Sequence, residues 1–361
     1  MRVVFTGGGT GGHIFPAIAI ADSLKEKNKD IQVLFIGAKG KMEERIVPAN
    51  NYDIKSINIS GLQRGKYHKW LLVPYKFIKS VNDCGRILKE FNTSVVVATG
   101  GFVSAPVIYS ALRMKCKVII QEGNALPGKV TKYFSGKADK VIINFDETGQ
   151  YLKRKDNVIK IAYPVRLMKN EINKTDARKF FGLENDNKTL FVFGGSQGSA
   201  AINKVILKNI PRFADLGINI IWQTGKTDFG KIKNECEKLS GSVKIYEFID
   251  NMYEAYTASD LVICRAGISS IMEIAALKKP SVLIPFPFAS DNHQEKNARA
   301  LEKSNGCKVL PESETEGKLF DMIKDTITCE ETLKLMSDNV FKFSDLGSAE
   351  KISCEILKII S

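Results

Sequence analysis

Three glycine-rich turns carry the first chemical signal. Gly7-Gly8-Gly9-Thr10-Gly11-Gly12-His13 follows the run Val3–Phe5, Thr99-Gly100-Gly101-Phe102-Val103-Ser104 follows Val95–Ala98, and Gly194-Gly195-Ser196-Gln197-Gly198-Ser199 follows Leu190–Phe193. Glycine lets a backbone turn sharply and approach a ligand, and the helix start beyond it offers N–H groups to an anion. Pro16 suits the first turn of such a helix. Any one of these turns could be a structural connection; three at the carboxyl ends of strands, where α/β ligands bind, point to a site. Gly7, Gly9 and Gly12 also match the dinucleotide spacing, but the second strand ends Ile36-Gly37-Ala38-Lys39, with no acid to hold a ribose. Gly123–Lys129 resembles a phosphate-binding Walker loop, yet Val130 stands where a magnesium-holding hydroxyl belongs.

The most specific segment is Cys264-Arg265-Ala266-Gly267-Ile268-Ser269-Ser270-Ile271-Met272-Glu273-Ile274-Ala275-Ala276, followed by Pro285-Phe286 and Asp291-Asn292-His293-Gln294-Glu295-Lys296-Asn297-Ala298. A strand ending at Cys264 and leading into a helix can hold a diphosphate on N–H groups while Glu273, one turn in, reaches ribose hydroxyls. The alternative for Glu273 is a solvated helix residue. The seven cysteines are scattered singly, without zinc-ligand spacing, and read as reduced core thiols. There is no Asp-x-Asp motif for a divalent ion, so neither a bound metal nor a cofactor is expected.

Elements that position these groups follow from periodicity. Short β-branched runs alternate with helix-period segments: Val3–Phe5, Val33–Ile36, Val95–Ala98, Val118–Ile120 and Val141–Ile143 in the first half, then Leu190–Phe193, Ile218–Trp222, Val243–Tyr246, Leu261–Cys264 and Val282–Ile284. Fully apolar strands between helices mean parallel sheets covered on both faces. The expected fold is α/β, with two doubly wound Rossmann-like domains, residues 1–164 and 165–340, and a closing helix over about 341–361 that packs back on the first domain. The join falls near Tyr163-Pro164-Val165-Arg166, where proline favours extended chain and the charge balance changes. Residues 1–165 hold 26 Lys and Arg against 13 Asp and Glu, whereas 166–361 hold 27 against 27. A basic half suggests nucleic acid or an anionic membrane, with a merely solvated face as the alternative. Neither a signal peptide nor a run of eighteen apolar residues is evident, so a cytoplasmic protein that does not span a membrane is expected.

Taken together, GGGTGGH, GGFVS, QEGNALPG, PVR, GGSQGS, FIDNM, RAGISSIMEIAA and DNHQEKNA resemble, in order and spacing from residue 1 to about 310, the bacterial glycosyltransferase family that forms lipid II. That resemblance implies a GT-B architecture, two Rossmann-like domains facing each other across a cleft. It implies inverting transfer of N-acetylglucosamine from UDP-N-acetylglucosamine to the 4-hydroxyl of undecaprenyl-pyrophosphoryl-N-acetylmuramoyl-pentapeptide. It also implies a peripheral place on the cytoplasmic face of the membrane, beside other cell-wall synthesis proteins and without nucleic acid. Carried over by residue, Thr10, Gly11, Gly12 and Asn124 meet the donated sugar and Arg166 and Ser196 the nucleotide and diphosphate. The backbone of Ile249 binds uracil, Ile268, Ser269, Ser270, Ile271, Met272 and Glu273 hold phosphate and ribose, and Gln294 binds sugar hydroxyls. The chain departs from the family at Phe102, Gln121, Gly123 and Ala162-Tyr163.

His13 is the candidate base for the acceptor hydroxyl, by its intrinsic pKa and its place in the first loop, with Glu122 as the rival. A related glycolipid glycosyltransferase, a UDP-N-acetylglucosamine 2-epimerase and a non-enzymatic nucleotide-binding module remain as alternatives. The expected membrane face comprises Lys66, Lys69, Trp70, Leu71, Lys76 and Lys79, with Phe77 and Ile78 nearby; Phe77, Val81 and Leu88 also fit an ordinary core-facing helix.

Overall fold

The computed structural model describes residues 1–59, 73–166, 172–183, 186–195, 197–236 and 242–360. The chain forms two compact units, Met1–Arg166 with Asp345–Ser361, and Leu167–Ser344. These boundaries lie slightly beyond the joins expected after residues 164 and 340.

In the first unit, β1 (Arg2–Gly7), β2 (Gln32–Ala38), β3 (Asp53–Ile57), β4 (Val95–Gly100), β5 (Lys117–Glu122), β6 (Lys140–Ile143) and β7 (Val158–Lys160) form one sheet, ordered β3-β2-β1-β4-β5-β6-β7. Every pairing is parallel. In the second unit, β8 (Thr189–Phe193), β9 (Asn219–Gln223), β10 (Val243–Tyr246), β11 (Leu261–Cys264), β12 (Ser281–Leu283) and β13 (Lys308–Val309) form another parallel sheet, ordered β10-β9-β8-β11-β12-β13. Strands β3, β7 and β13 are not among the expected strands; each is an edge strand, and unlike the edge strand β10 each is very short or rich in polar residues. An edge strand is short or half-exposed and lacks the continuous apolar run of an interior parallel strand.

Helices α1 (Gly11–Lys27), α2 (Glu43–Ala49), α3 (Val73–Glu90), α4 (Ser104–Arg113) and α5 (Lys129–Phe134) belong to the first unit. The second holds α6 (Lys174–Phe180), α7 (Ala200–Asp215), α8 (Lys226–Cys236), α9 (Met252–Ala258), α10 (Ile268–Ala276), α11 (His293–Glu302), α12 (Thr315–Ile327) and α13 (Glu330–Phe341). The last helix, α14 (Ser348–Ile360), returns to the first unit. It starts later than expected, leaving Leu346 outside it and exposed. Its Ile352 and Ile356 are fully buried with Phe5, Ile18 and Ile119, each side chain contributing about 1.5–3 kcal/mol by leaving water. Among the described residues no helix is long and apolar enough to cross a membrane.

Strand alternation places the site. Phe5, Val97, Ile119 and Ile142 share the face covered by α1 and α14. Two residues further along each strand or its extension, Gly7, Thr99, Gln121 and Asn144 continue that face as a small and polar row at the carboxyl edge.

Candidate functional site

In the first unit the glycine turn between β1 and α1 interlocks with the turn after β4. The Thr99 hydroxyl donates to His13 O at 2.5 Å. A Cβ on Gly100, at φ +115°, would lie 2.6 Å from Cδ2 of His13, so only glycine lets the imidazole lie against this turn. His13 Nδ1 contacts Gly8 O at 3.0 Å and the Thr10 hydroxyl at 3.2 Å. A carbonyl can only accept, so Nδ1 carries the proton in that bond and Nε2 holds the lone pair of the neutral ring. Thr10 occupies the N-cap position of α1 but does not cap it with its side chain; its hydroxyl goes to the ring. Gly11 and Gly12 are partly exposed beside it.

Glu43, which sequence reasoning passed over, supports this loop. Its buried carboxylate accepts from Gly9 N at 3.1 Å and Ala38 N at 3.0 Å. An acid therefore does stand at the end of β2, but backbone amides occupy it. Glu122 is engaged in the same way, accepting from Asn124 N and Nδ2 at 3.0 Å, Gly128 N at 3.0 Å and the Thr131 hydroxyl at 2.7 Å. Four donors fill its two oxygens, which suits shaping the 123–131 loop and presenting Asn124. Gln121 is buried within the polar row, and neither amide atom has a hydrogen-bond partner among the described residues.

Arg166 does not join these loops. Its guanidinium lies 3.5 Å from Asp22 and bonds Asn50. Asp22 sits eleven residues along α1 from Gly11, or about 16 Å by helix rise. These partners hold the cation against α1 and the end of α2.

In the second unit, Ser199 caps α7, its hydroxyl accepting from Ile202 N at 3.4 Å. Ser196 lies outside the described residues. A Cβ on Gly198, at φ +78°, would lie 2.1 Å from Thr224 O, so this turn packs backbone to backbone against the chain after β9. Gln223, buried at the end of β9, donates to Gly195 O at 3.0 Å and accepts from Ile249 N at 2.9 Å. A base reading the Ile249 amide must therefore displace Gln223.

Arg265 braces three loops. It donates to the Ser199 hydroxyl at 2.7 Å and to Ile284 O and Pro285 O at 3.3 Å, pairs with Glu312, and lies 5.3 Å from the Phe286 ring centroid. Only a planar fork of five N–H groups spans these partners. Beyond it, Gly267 heads α10 without a side chain to cap it. Ile268, Ile271 and Met272 are buried, so their side chains are packing groups and only their backbone can meet a ligand. Ser269, Ser270 and Glu273 are partly exposed. Burial pushes the Glu273 carboxyl up to about 7, and the Tyr256 hydroxyl, donating at 2.9 Å, offsets part of that. Gln294, in the first turn of α11, accepts from Phe286 N at 2.9 Å. Among the described residues no cluster of His, Cys, Asp or Glu could hold a metal ion.

Of the expected membrane face, Lys66, Lys69, Trp70 and Leu71 lie outside the described residues. On α3, Tyr75 and Ile78 are exposed at 66% and 62% and Lys79 is exposed, whereas Val81 and Leu88 are buried. Lys76 and Phe77 are partly exposed, and Phe77 meets Tyr109 edge to face at 6.2 Å.

Comparison with known proteins fits this construction. Residues 3–143 match the glycosyltransferase family 28 N-terminal domain and residues 189–352 its C-terminal domain. A UDP-N-acetylglucosamine–N-acetylmuramyl-(pentapeptide) pyrophosphoryl-undecaprenol N-acetylglucosamine transferase of Desulforamulus reducens is 37% identical over 100% of this chain and 98% of its own. A protein of the same name from Phocaeicola vulgatus is 35% identical over 99% of this chain and 96% of its own. Among solved structures, Acinetobacter baumannii MurG superposes with a TM-score of 0.78 at 24% identity, covering 99% of both chains. A UDP-N-acetylglucosamine 2-epimerase superposes at 0.68 with 14% identity, covering 99% of this chain and 96% of its own. At those identities both structures speak to the fold alone, the two Rossmann-like units of GT-B proteins.

Proposed function

The chain belongs to glycosyltransferase family 28, and from that premise we propose that it transfers N-acetylglucosamine from UDP-N-acetylglucosamine to lipid-linked N-acetylmuramoyl-pentapeptide, a step of peptidoglycan synthesis. The observation that carries this is the end-to-end similarity, 35–37% identical, to transferases named for that one reaction. The epimerase alternative has only a fold likeness behind it.

In the reaction we propose, the 4-hydroxyl of the acceptor attacks the anomeric carbon in line. The bond from that carbon to the diphosphate oxygen breaks, UDP leaves with the electron pair, and Nε2 of His13 takes the hydroxyl proton. The Nδ1–H to Gly8 O bond supports this role by fixing the tautomer. The leaving diphosphate gains charge, and the N–H groups heading α10 suit it in the transition state more than in the ground state. The second unit holds the sugar nucleotide, with Glu273 toward ribose and Gln294 toward the sugar. No metal or cofactor is invoked; chelator is expected to leave turnover unchanged.

The first unit works against an anionic membrane on its cytoplasmic face, through the basic α3 region with exposed Tyr75 and Ile78. Incubation of purified protein with UDP-N-acetylglucosamine tests the reading. UDP should appear only when a lipid-linked muramyl-pentapeptide analogue is added, and UDP release with diacylglycerol as acceptor would replace this substrate with a glycolipid one.

A further inference from the structure

The first turn of α1 contains a carbonyl that its own helix cannot satisfy. In an α-helix Gly12 O accepts from the N–H of residue 16. Residue 16 is Pro16, inside α1, which has no N–H and whose ring crowds the carbonyl four residues back. A carbonyl left without a donor in a partly buried place is costly. Tyr163 supplies the donor from the far end of the unit: its hydroxyl donates to Gly12 O at 2.8 Å. The ring is 3% exposed, its own N–H donates to Asn144 Oδ1 at 2.8 Å, and Pro164 follows it. The next carbonyl, His13 O, takes the Thr99 hydroxyl. Two side chains, from the polar row and its border, thus hold the two peptide groups on either side of the His13 Cα.

We infer that Tyr163 is a positioning residue for transfer. It stands in for the N–H that Pro16 removes, and so fixes the helix start that carries Thr10, Gly11, Gly12 and the His13 imidazole. The inference rests on the transferase reading above and deepens it. Tyr163 acts through Gly12 O and needs no contact with substrate.

The test pairs Tyr163→Phe with Pro16→Ala, read by UDP release with the acceptor analogue and by amide hydrogen exchange over residues 10–17. Tyr163→Phe removes only the hydroxyl and should lower kcat about tenfold, the effect of one orphaned polar group. KM for UDP-N-acetylglucosamine should stay within about twofold, since that substrate is held mainly elsewhere. Pro16→Ala gives position 16 an N–H for Gly12 O, so the double variant should recover most of the lost turnover and of the exchange protection. If Tyr163→Phe does not fold, the double variant is compared with Pro16→Ala alone, and equal rates support the inference. Wild-type kcat in Tyr163→Phe, or the same phenol-dependent loss with and without Pro16, overturns it. An inactive wild-type protein would remove the transferase reading, and exchange over 10–17 would still decide what Tyr163 does.

Discussion

The two units repeat the same strand, glycine turn and helix, yet they finish the helix start in opposite ways. At α7 the N-cap hydroxyl of Ser199 turns inward to Ile202 N and receives Arg265, so that turn is closed and serves as a strut. At α1 the N-cap hydroxyl of Thr10 goes to the His13 ring and leaves the helix start uncapped. In the second unit the uncapped helix start is that of α10, headed by Gly267, where we propose that the diphosphate is met. Glycine content and a cap hydroxyl mark both turns alike; the partner of that hydroxyl separates them.

Changes at the two starts should therefore differ in kind. His13→Ala should lower turnover by about 10² to 10⁴ if the ring is the base, with binding of UDP-N-acetylglucosamine intact by calorimetry. A drop below about tenfold would remove the base assignment. Arg265→Ala should act through support instead. It leaves Glu312 and the Ser199 hydroxyl without their partner, at a cost of about 1–3 kcal/mol. Calorimetric melting should show the lost stability and initial rates a raised KM for the sugar nucleotide. Arg265→Lys should not restore either, because a point charge cannot span those partners; full rescue by lysine would show that charge alone matters.

Glu273 gives the second unit a pH dependence near neutrality. Burial pushes its carboxyl from an ordinary 4.5 up to about 7 in the folded protein. The native state thus holds an extra proton between those values, and its contribution to stability, full below 4.5, is lost as pH rises through about 7. If Glu273 accepts from the ribose hydroxyls as proposed, the ionised carboxylate is the stronger acceptor, and binding of UDP should weaken as pH falls below about 7. Glu273→Gln should flatten both trends, and melting temperatures and UDP titrations at about pH 5 and pH 8 will show it. Unchanged pH profiles in that variant would place the titration elsewhere. The smallest effect on chemistry is expected at the basic face. Changing Lys66, Lys69, Lys76 and Lys79 to Glu should abolish salt-sensitive sedimentation with anionic vesicles while UDP binding survives, and sedimentation unaltered by these four changes would rule that face out.

Sequence showed those parts of the fold that depend on continuous apolar runs. The interior strands qualify because both faces are buried, and the edge strand β10 qualifies through Val243, Ile245 and Tyr246; β3, with Lys55 and Ser56, and the two- and three-residue strands β13 and β7 do not. Glycine turns were visible for the same local reason. Tertiary partners were not: Glu43, Gln223 and Arg265 are ordinary polar residues until folding brings them to backbone groups from distant segments. Pro16 suits a first turn by its sequence, but α1 starts at Gly11 and places the proline inside the helix, where it removes the donor for Gly12 O. That Tyr163 answers this loss was not legible in the sequence, because 151 residues separate the two groups.

The division of labour between the units can be read directly by hydrogen-exchange mass spectrometry with UDP alone. Protection should fall on peptides covering residues 194–203, 265–274 and 285–295 and leave 7–17 unchanged, because the nucleotide without its sugar gives the first glycine turn nothing to hold. Protection of 7–17 with the second-unit peptides unaffected would contradict the account.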